Sequence, residues 1–307
     1  MIFNTIASLA RGFTMGAADI VPGVSGGTIA LVLGIYERLV DSIRSGSSAL
    51  GSIAKGDISG FKRWAAAVDW GFILPLVAGM LLAIVSLAHL IENLLRDQPV
   101  AMASLFVGLV AGSITIAWAM IRTKSMMLFW LTAGVAIAVF IVLGLRSGTT
   151  EDTVGQIADP ALWAFFGSGA IAICAMILPG ISGSFILVML GMYTAVLSAV
   201  TDRDFAGLAV FALGAVIGLA LFSQVLHRAL TKQHDIVMAV LVGLMAGSLR
   251  VLWPWPLGVD STNLGTPDSD VGLAILMAAI GLTAVMVIAR IAVRLDRIES
   301  AGESPQS

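Results

Sequence analysis

Two short stretches hold the residue types most capable of chemistry in this chain. Val21-Pro22-Gly23-Val24-Ser25-Gly26-Gly27 and Leu178-Pro179-Gly180-Ile181-Ser182-Gly183-Ser184 each interrupt an apolar region with proline, glycine and serine. Proline removes a backbone donor and glycine tolerates dihedrals closed to other residues, so neither region can be one continuous helix. Each is expected to be two helical arms joined by a non-helical tip: hairpin one over about 2–43 and hairpin two over about 160–200. In hairpin one the second arm starts near Ser25. The amides of Ser25, Gly26, Gly27 and Thr28 are therefore expected as open donors at a helix N-terminus, a setting that suits an anion and a phosphate above all. Ser182, Gly183 and Ser184 offer the same from hairpin two. The bland alternative is that Ser25 and Ser182 cap their own helices.

Further polar groups stand inside or beside apolar runs. Asp19, three residues before Pro22, is costly in an apolar setting unless protonated, paired or wetted. It is read either as functional or as a structural carboxylate bridging the loop amides; Met176 stands at the corresponding place in hairpin two. Glu37 reads as an exposed pair with Arg38. His89 and Glu92, and in the other half Gln224 and His227, are proton-relay candidates or polar helix glue. Asp19, Glu37, His89, Glu92 and His227 thus form the set of candidate proton-coupling residues. Arg203 and Arg250 are chosen as phosphate-attracting guanidinium groups, although Arg203 could simply satisfy its neighbours Asp202 and Asp204. Arg96 and Arg146 read as snorkelling side chains. No catalytic residue, metal site or cofactor is assigned.

Composition says what must position these groups. Of 307 residues 58% are hydrophobic and 12% charged, and the mean hydropathy is +0.99. Soluble domains carry about 25% charged residues, so a water-soluble fold is excluded and the chain is expected to be an all-α polytopic membrane protein. Each span needs about 20 apolar residues, and six such stretches stand out at 70–95, 100–121, 126–145, 205–230, 236–253 and 271–293. The net charge of −2 gives no signal for nucleic acid, and the single cysteine, Cys174, rules out an intrachain disulfide. The first cation, Arg11, falls in mid-stretch, so the N-terminus does not read as a cleavable signal peptide. With that terminus cytoplasmic, every Lys and Arg except Arg96, Arg146, Arg203 and Arg250 falls on the cytoplasmic side, as the positive-inside rule requires. The C-terminus is then cytoplasmic too. Glu151, Asp152, Asp159, Asp260, Asp268, Asp270 and the Trp253-Pro-Trp255 aromatic anchor fall outside.

The chain also repeats itself. PGVSGGTIALVLGIY (Pro22 to Tyr36) matches PGISGSFILVMLGMY (Pro179 to Tyr193) at an offset of 157, and FVGLVAGSI (from Phe106) matches LVGLMAGSL (from Leu241) at an offset of 135. The second offset carries Gly79 onto Gly214 and Trp118 onto Trp253, and the difference fits a longer first-half loop over 44–69. Shared GxxxG packing could account for the second match, but not for a shared Pro-Gly-x-Ser-Gly break. Two repeats are expected. Residues 1–150 hold hairpin one, a cytoplasmic loop and three spans; residues 151–297 hold hairpin two and three spans; a disordered cytoplasmic tail follows over 298–307. An odd number of crossings per half inverts the second relative to the first, the arrangement of many secondary transporters.

GAADIVPGVSGGTIALVLGIYERLVDSI and its partner ILPGISGSFILVMLGMY resemble the bacterial PopT family of polyprenyl-phosphate translocases, over essentially the whole chain. The resemblance implies a transporter, not an enzyme, that returns undecaprenyl phosphate from the outer to the inner leaflet of the bacterial cytoplasmic membrane, recycling the carrier of peptidoglycan and other surface polymers. A polyprenyl phosphate lipid and the bilayer are its implied partners; homo-oligomerisation is left open. Two other classes compete. A small-anion transporter or channel would use the same helix ends. A serine intramembrane protease would use the Gly-x-Ser-Gly of Ser25 or Ser182 with His227 as base, and the Pro-Gly break at both copies argues against it.

Overall fold

The computed structural model describes residues 2–20, 25–145, 160–255, 264–267 and 270–302, which form twelve helices and no strand. They are α1 (Ile2–Asp19), α2 (Gly26–Val32), α3 (Tyr36–Ala54), α4 (Ile58–Ala67), α5 (Trp70–Asp97), α6 (Pro99–Ala119), α7 (Met126–Leu145), α8 (Leu162–Ile177), α9 (Gly183–Met189), α10 (Tyr193–Thr201), α11 (Phe205–Ser248) and α12 (Val271–Gly302). Five of these, α5, α6, α7, α11 and α12, are long and apolar enough to cross a membrane. This is the polytopic all-α protein the composition calls for. Pro22, Arg146 and the acidic residues 151, 152, 159, 260 and 268 lie outside the described residues.

The fourth and fifth expected spans both fall in α11. A straight helix of its 44 residues would be about 66 Å long, twice the hydrocarbon thickness. It is interrupted at Gln233, with φ −140° and ψ 48°. Gln98, between α5 and α6, has φ −134° and ψ 56°. The two glutamines are 135 residues apart, so one turn is used twice. The second leg of α11 stops at Ser248, short of the expected Trp253.

Each hairpin differs from the expected pair of arms. The return arm breaks a second time, between α2 and α3 and between α9 and α10, where Gly34 and Gly191 both take φ +70°. A left-handed glycine lets the chain turn there; α9 and α10 meet at 109°. Nor is 44–69 a plain loop. α3 runs on to Ala54, and α4 folds back on it after Gly56. α12 continues through Gly302, into the stretch expected as tail; the residues after Gly302 lie outside the described ones.

Small residues set the packing, because helices in hydrocarbon associate by close approach. α1 lies along α5, and a Cβ on Gly79 would sit 2.1 Å from the Leu9 carbonyl oxygen. α8 lies along the first leg of α11, and a Cβ on Gly214 would sit 2.0 Å from the Phe166 carbonyl oxygen. Leu9 and Phe166 differ by the offset of 157 found in the sequence. α12 packs on α6 through Gly108 against Ala278, and α7 packs on the second leg of α11 through Gly243 against Thr132. The last helix of each half therefore rests on the other half. By the register of Gly12 on Leu76 and Gly16 on Met80, α1 ends well inside the length of α5, which sets the first break at depth.

Candidate functional site

The two breaks meet. The Ser25 hydroxyl reaches the carbonyl oxygens of Met176 (3.2 Å) and Leu178 (3.4 Å), the Tyr36 hydroxyl donates to the Ile177 carbonyl (3.1 Å), and Thr28 Oγ1 accepts the N–H of Gly180 (3.0 Å). Gly27 is needed for this approach, because a Cβ there would lie 2.8 Å from the Ile177 oxygen. Gly180, at φ +87°, lies so close to the Met245 backbone that a Cβ would come within 2.7 Å of its Cα.

The first break does not offer the open amides expected of it. The Gly26 N–H donates to Asp19 Oδ1 at 2.5 Å, the Gly27 N–H to Ser25 Oγ at 3.1 Å and the Thr28 N–H to the Ser25 carbonyl at 2.9 Å. Ser25, Gly26, Gly27 and Thr28 are all buried. Ser25 is the N-cap of α2, and Asp19 is the bridging carboxylate of the alternative reading. The physical reason is local: buried amides need partners, and the chain supplies its own anion seven residues upstream.

The second break lacks that anion. Met176 occupies the place of Asp19 and covers Gly183 as Asp19 covers Gly26. No side chain caps α9, while the hydroxyls of Ser182 and Ser184 stand 2.8 Å apart. A cavity of about 360 Å³ opens here, lined by Asp19, Ser25, Ser182, Gly183 and Ser184 on its polar side and by residues such as Ile173, Leu187 and Phe211 on its apolar side. The arrangement presents the hydroxyls of Ser25, Ser182 and Ser184 and the carboxyl group of Asp19 to whatever enters an otherwise oily space.

The remaining predicted residues scatter. Glu37 does not pair with Arg38. Arg38 holds Asp69 (2.9 and 2.5 Å), while Glu37 faces His234 Nε2 at 3.2 Å. His227 Nδ1 lies 2.5 Å from Asp41 Oδ1. His89 is exposed, and Glu92 is bonded to Arg96 at 3.3 Å, far from this group in the chain and outside the cavity lining. Arg203 is exposed at φ +60°; its carbonyl accepts the Phe205 N–H (2.8 Å), and its guanidinium has no partner among the described residues. Asp204 is not satisfied by it but caps α11 through the amides of Ala206 and Gly207. Arg250 stacks over the Phe140 ring at 4.6 Å. Neither arginine lines the cavity.

Four residues were not singled out in the sequence. Tyr36 was visible in the shared motif, and Asp41 stands one helical turn after Glu37. His234 and Asp235 gave no signal. Asp235 accepts the N–H of Arg122 (3.0 Å) and of Thr123 (2.9 Å), tying the α6–α7 connection to the turn of α11. The Arg122 amide first, and then His234, hold its carboxyl down to about 2. Asp57, the N-cap of α4, is likewise held below the usual carboxylate range by the Gly60 amide and the Ser59 hydroxyl.

Residues 15–265 match the family described as VCA0040-like, undecaprenyl phosphate translocase-like. A polyprenyl-phosphate transporter of Vibrio cholerae serotype O1 is 41% identical over 257 residues, covering 82% of this chain and 79% of the relative. A polyprenyl-phosphate transporter of Staphylococcus aureus is 30% identical over 259 residues, covering 80% of this chain and 86% of the relative. No solved structure matches.

Proposed function

The chain belongs to the VCA0040-like, undecaprenyl phosphate translocase-like family, and we propose that it returns undecaprenyl phosphate from the outer to the inner leaflet of the bacterial cytoplasmic membrane, with both termini cytoplasmic. The observation that carries the reading is the asymmetry of the two breaks. One brings its own carboxylate to the amide of Gly26; the other leaves Ser182, Gly183 and Ser184 facing a cavity. A lipid phosphate is the anion that fits there. Its oxygens take the hydroxyls and nearby amides, while the first prenyl units lie against Ile173, Leu187 and Phe211 and the rest of the tail stays in lipid. Asp19 lines the same space, so a phosphate seated beside it shares a proton with it or is repelled. That makes Asp19 the proton-coupling candidate nearest the substrate. Arg203, exposed and outside the cavity lining, is the candidate for drawing the headgroup in.

In this mechanism the two halves are inverted repeats that rock about the bonded breaks, and the cavity opens to one leaflet and then the other. Nothing needs to be cleaved. The Ser25 hydroxyl is engaged with two carbonyls and His227 with Asp41, which supports transport over the serine chemistry of a protease.

A leaflet-resolved assay of undecaprenyl phosphate in proteoliposomes tests this. A hydrogen bond to a charged group contributes about 1.5–3 kcal/mol, so Ser182→Ala with Ser184→Ala is expected to slow translocation at least about tenfold, with Ser86→Ala as an exposed control. Wild-type rates in the double variant reject the site; competition by a soluble phosphate ester independent of the lipid favours a small-anion transporter instead.

A further inference from the structure

The helical hairpin formed by the end of α3 and by α4 has no counterpart in the second half, where α10 passes directly into α11 through Asp202–Asp204. Nothing in the transport reading uses it. We propose that its tip is a docking surface for the anionic phospholipid headgroups of the leaflet it meets.

Three features support that occupant. The first is apolar exposure confined to the tip: Leu50 is 52% exposed, Ile53 54% and Ile58 71%, on either side of the Gly56 turn. Such a group of aliphatic side chains is stable only against another apolar phase. The second is charge. Lys55, Lys62 and Arg63 stand exposed among these residues, three cations against one acid, Asp57, whose carboxylate is exposed but engaged in capping α4 through the Gly60 amide. Trp64 lies between two guanidinium groups, with Arg44 5.5 Å and Arg63 5.6 Å from its ring, the aromatic and cationic mixture of an interfacial helix. The third is depth. The Ser47 hydroxyl faces that of Ser223 at 3.4 Å, and Ser223 lies within the apolar first leg of α11, about three turns before its break at Gln233. From Glu37 at His234, through Asp41 at His227, to Ser47 at Ser223, α3 therefore runs from the turn of α11 alongside its apolar first leg, which carries the tip beyond Leu50 to the bilayer. A soluble protein partner would have to reach it through the headgroups.

The test uses the full chain in lipid nanodiscs without any polyprenyl phosphate, so its result is independent of transport. Ile58→Cys in a Cys174→Ser background is labelled with an environment-sensitive fluorophore, and Leu50→Cys serves as a second position should the first fold poorly. In discs containing phosphatidylglycerol the emission is expected to shift to the blue and to be quenched by headgroup-region nitroxide lipids. Each cation near an anionic surface contributes roughly a fivefold preference, so Lys62→Glu with Arg63→Glu is expected to lower the quenched fraction at least about fivefold. Water-like, unquenched emission in every lipid overturns the proposal and leaves the surface to a soluble partner. Quenching equal in phosphatidylcholine and phosphatidylglycerol, and unchanged by the double charge reversal, overturns the anionic assignment.

Discussion

Thr28 Oγ1 accepts the N–H of Gly180 at 3.0 Å, so a side chain of the first break closes the backbone of the second. Both groups are buried, and the bond joins positions 152 residues apart. Thr28→Val keeps the shape but strands the Gly180 amide, which is expected to cost about 1–3 kcal/mol. Thr28→Ser keeps the acceptor and is expected to lose well under half of that. Unfolding midpoints of the two variants in the same detergent decide the matter; equal loss in both would mean that packing of the methyl group, and not the bond, holds the breaks together.

Asp19 acts on Gly26 as an N-cap acts on a helix, although it reaches across a break. Asp19→Ala is expected to destabilise by about 0.5–2 kcal/mol, the range for removing a capping side chain. Asp19→Asn retains an acceptor oxygen and is expected to lose less. If Asp19 also manages a proton for the bound phosphate, the asparagine variant keeps its stability and changes its rate of translocation. Unchanged rates in Asp19→Asn confine the residue to its structural bond.

The glycines separate close approach from mere flexibility. A Cβ at Gly79 or Gly214 would press into the backbone carbonyl of the neighbouring helix at 2.1 or 2.0 Å, whereas Gly134 has nothing within 4 Å. Backbone cannot yield as a side chain tip can. Gly79→Ala and Gly214→Ala are expected to destabilise by about 1–3 kcal/mol or more, while Gly134→Ala is expected to be neutral or to stabilise by up to about 1 kcal/mol. Thermal unfolding of the three variants checks this, and comparable losses at Gly79 and Gly214 follow if both halves use the same contact.

What the sequence made legible depended on whether the signal was local or repeated. The membrane class followed from apolar length, and the breaks from Pro22 and Pro179, because proline and glycine act on their own backbone. The equivalence of Gly79 with Gly214 was visible because both halves carry it. Gly34 and Gly191 were visible as identities but were read as helix, since a glycine within an apolar run announces a left-handed turn only once the turn is seen. The site was less legible. The bond from Gly26 to Asp19 spans seven residues across a break, outside any helical or strand period, so the amides looked open. The pairs Asp41 with His227 and Glu37 with His234 join residues nearly two hundred positions apart, and only the crossing of α3 over α11 brings them together.

Asp235, at the turn between the legs of α11, provides a test by pH, because its carboxylate binds the amides of Arg122 and Thr123 in the α6–α7 connection. Those bonds hold its folded-state pKa at about 2, below the ordinary carboxylate value of 3.8. A depressed folded pKa means that the unfolded chain binds the proton more readily. The contribution is therefore complete above the unfolded value and is lost as the pH falls toward the folded one. The difference in melting temperature between wild type and Asp235→Asn is expected to be constant from neutral pH down to about 5, to shrink below about 4 and to be nearly gone near 2. The group is at the surface, so the difference is expected to be small, and salt should reduce it further by screening His234. A difference that persists undiminished at the lowest pH would show that Asp235 acts through its shape and not through its charge, and the α6–α7 connection would then have to be held by something other than this carboxylate.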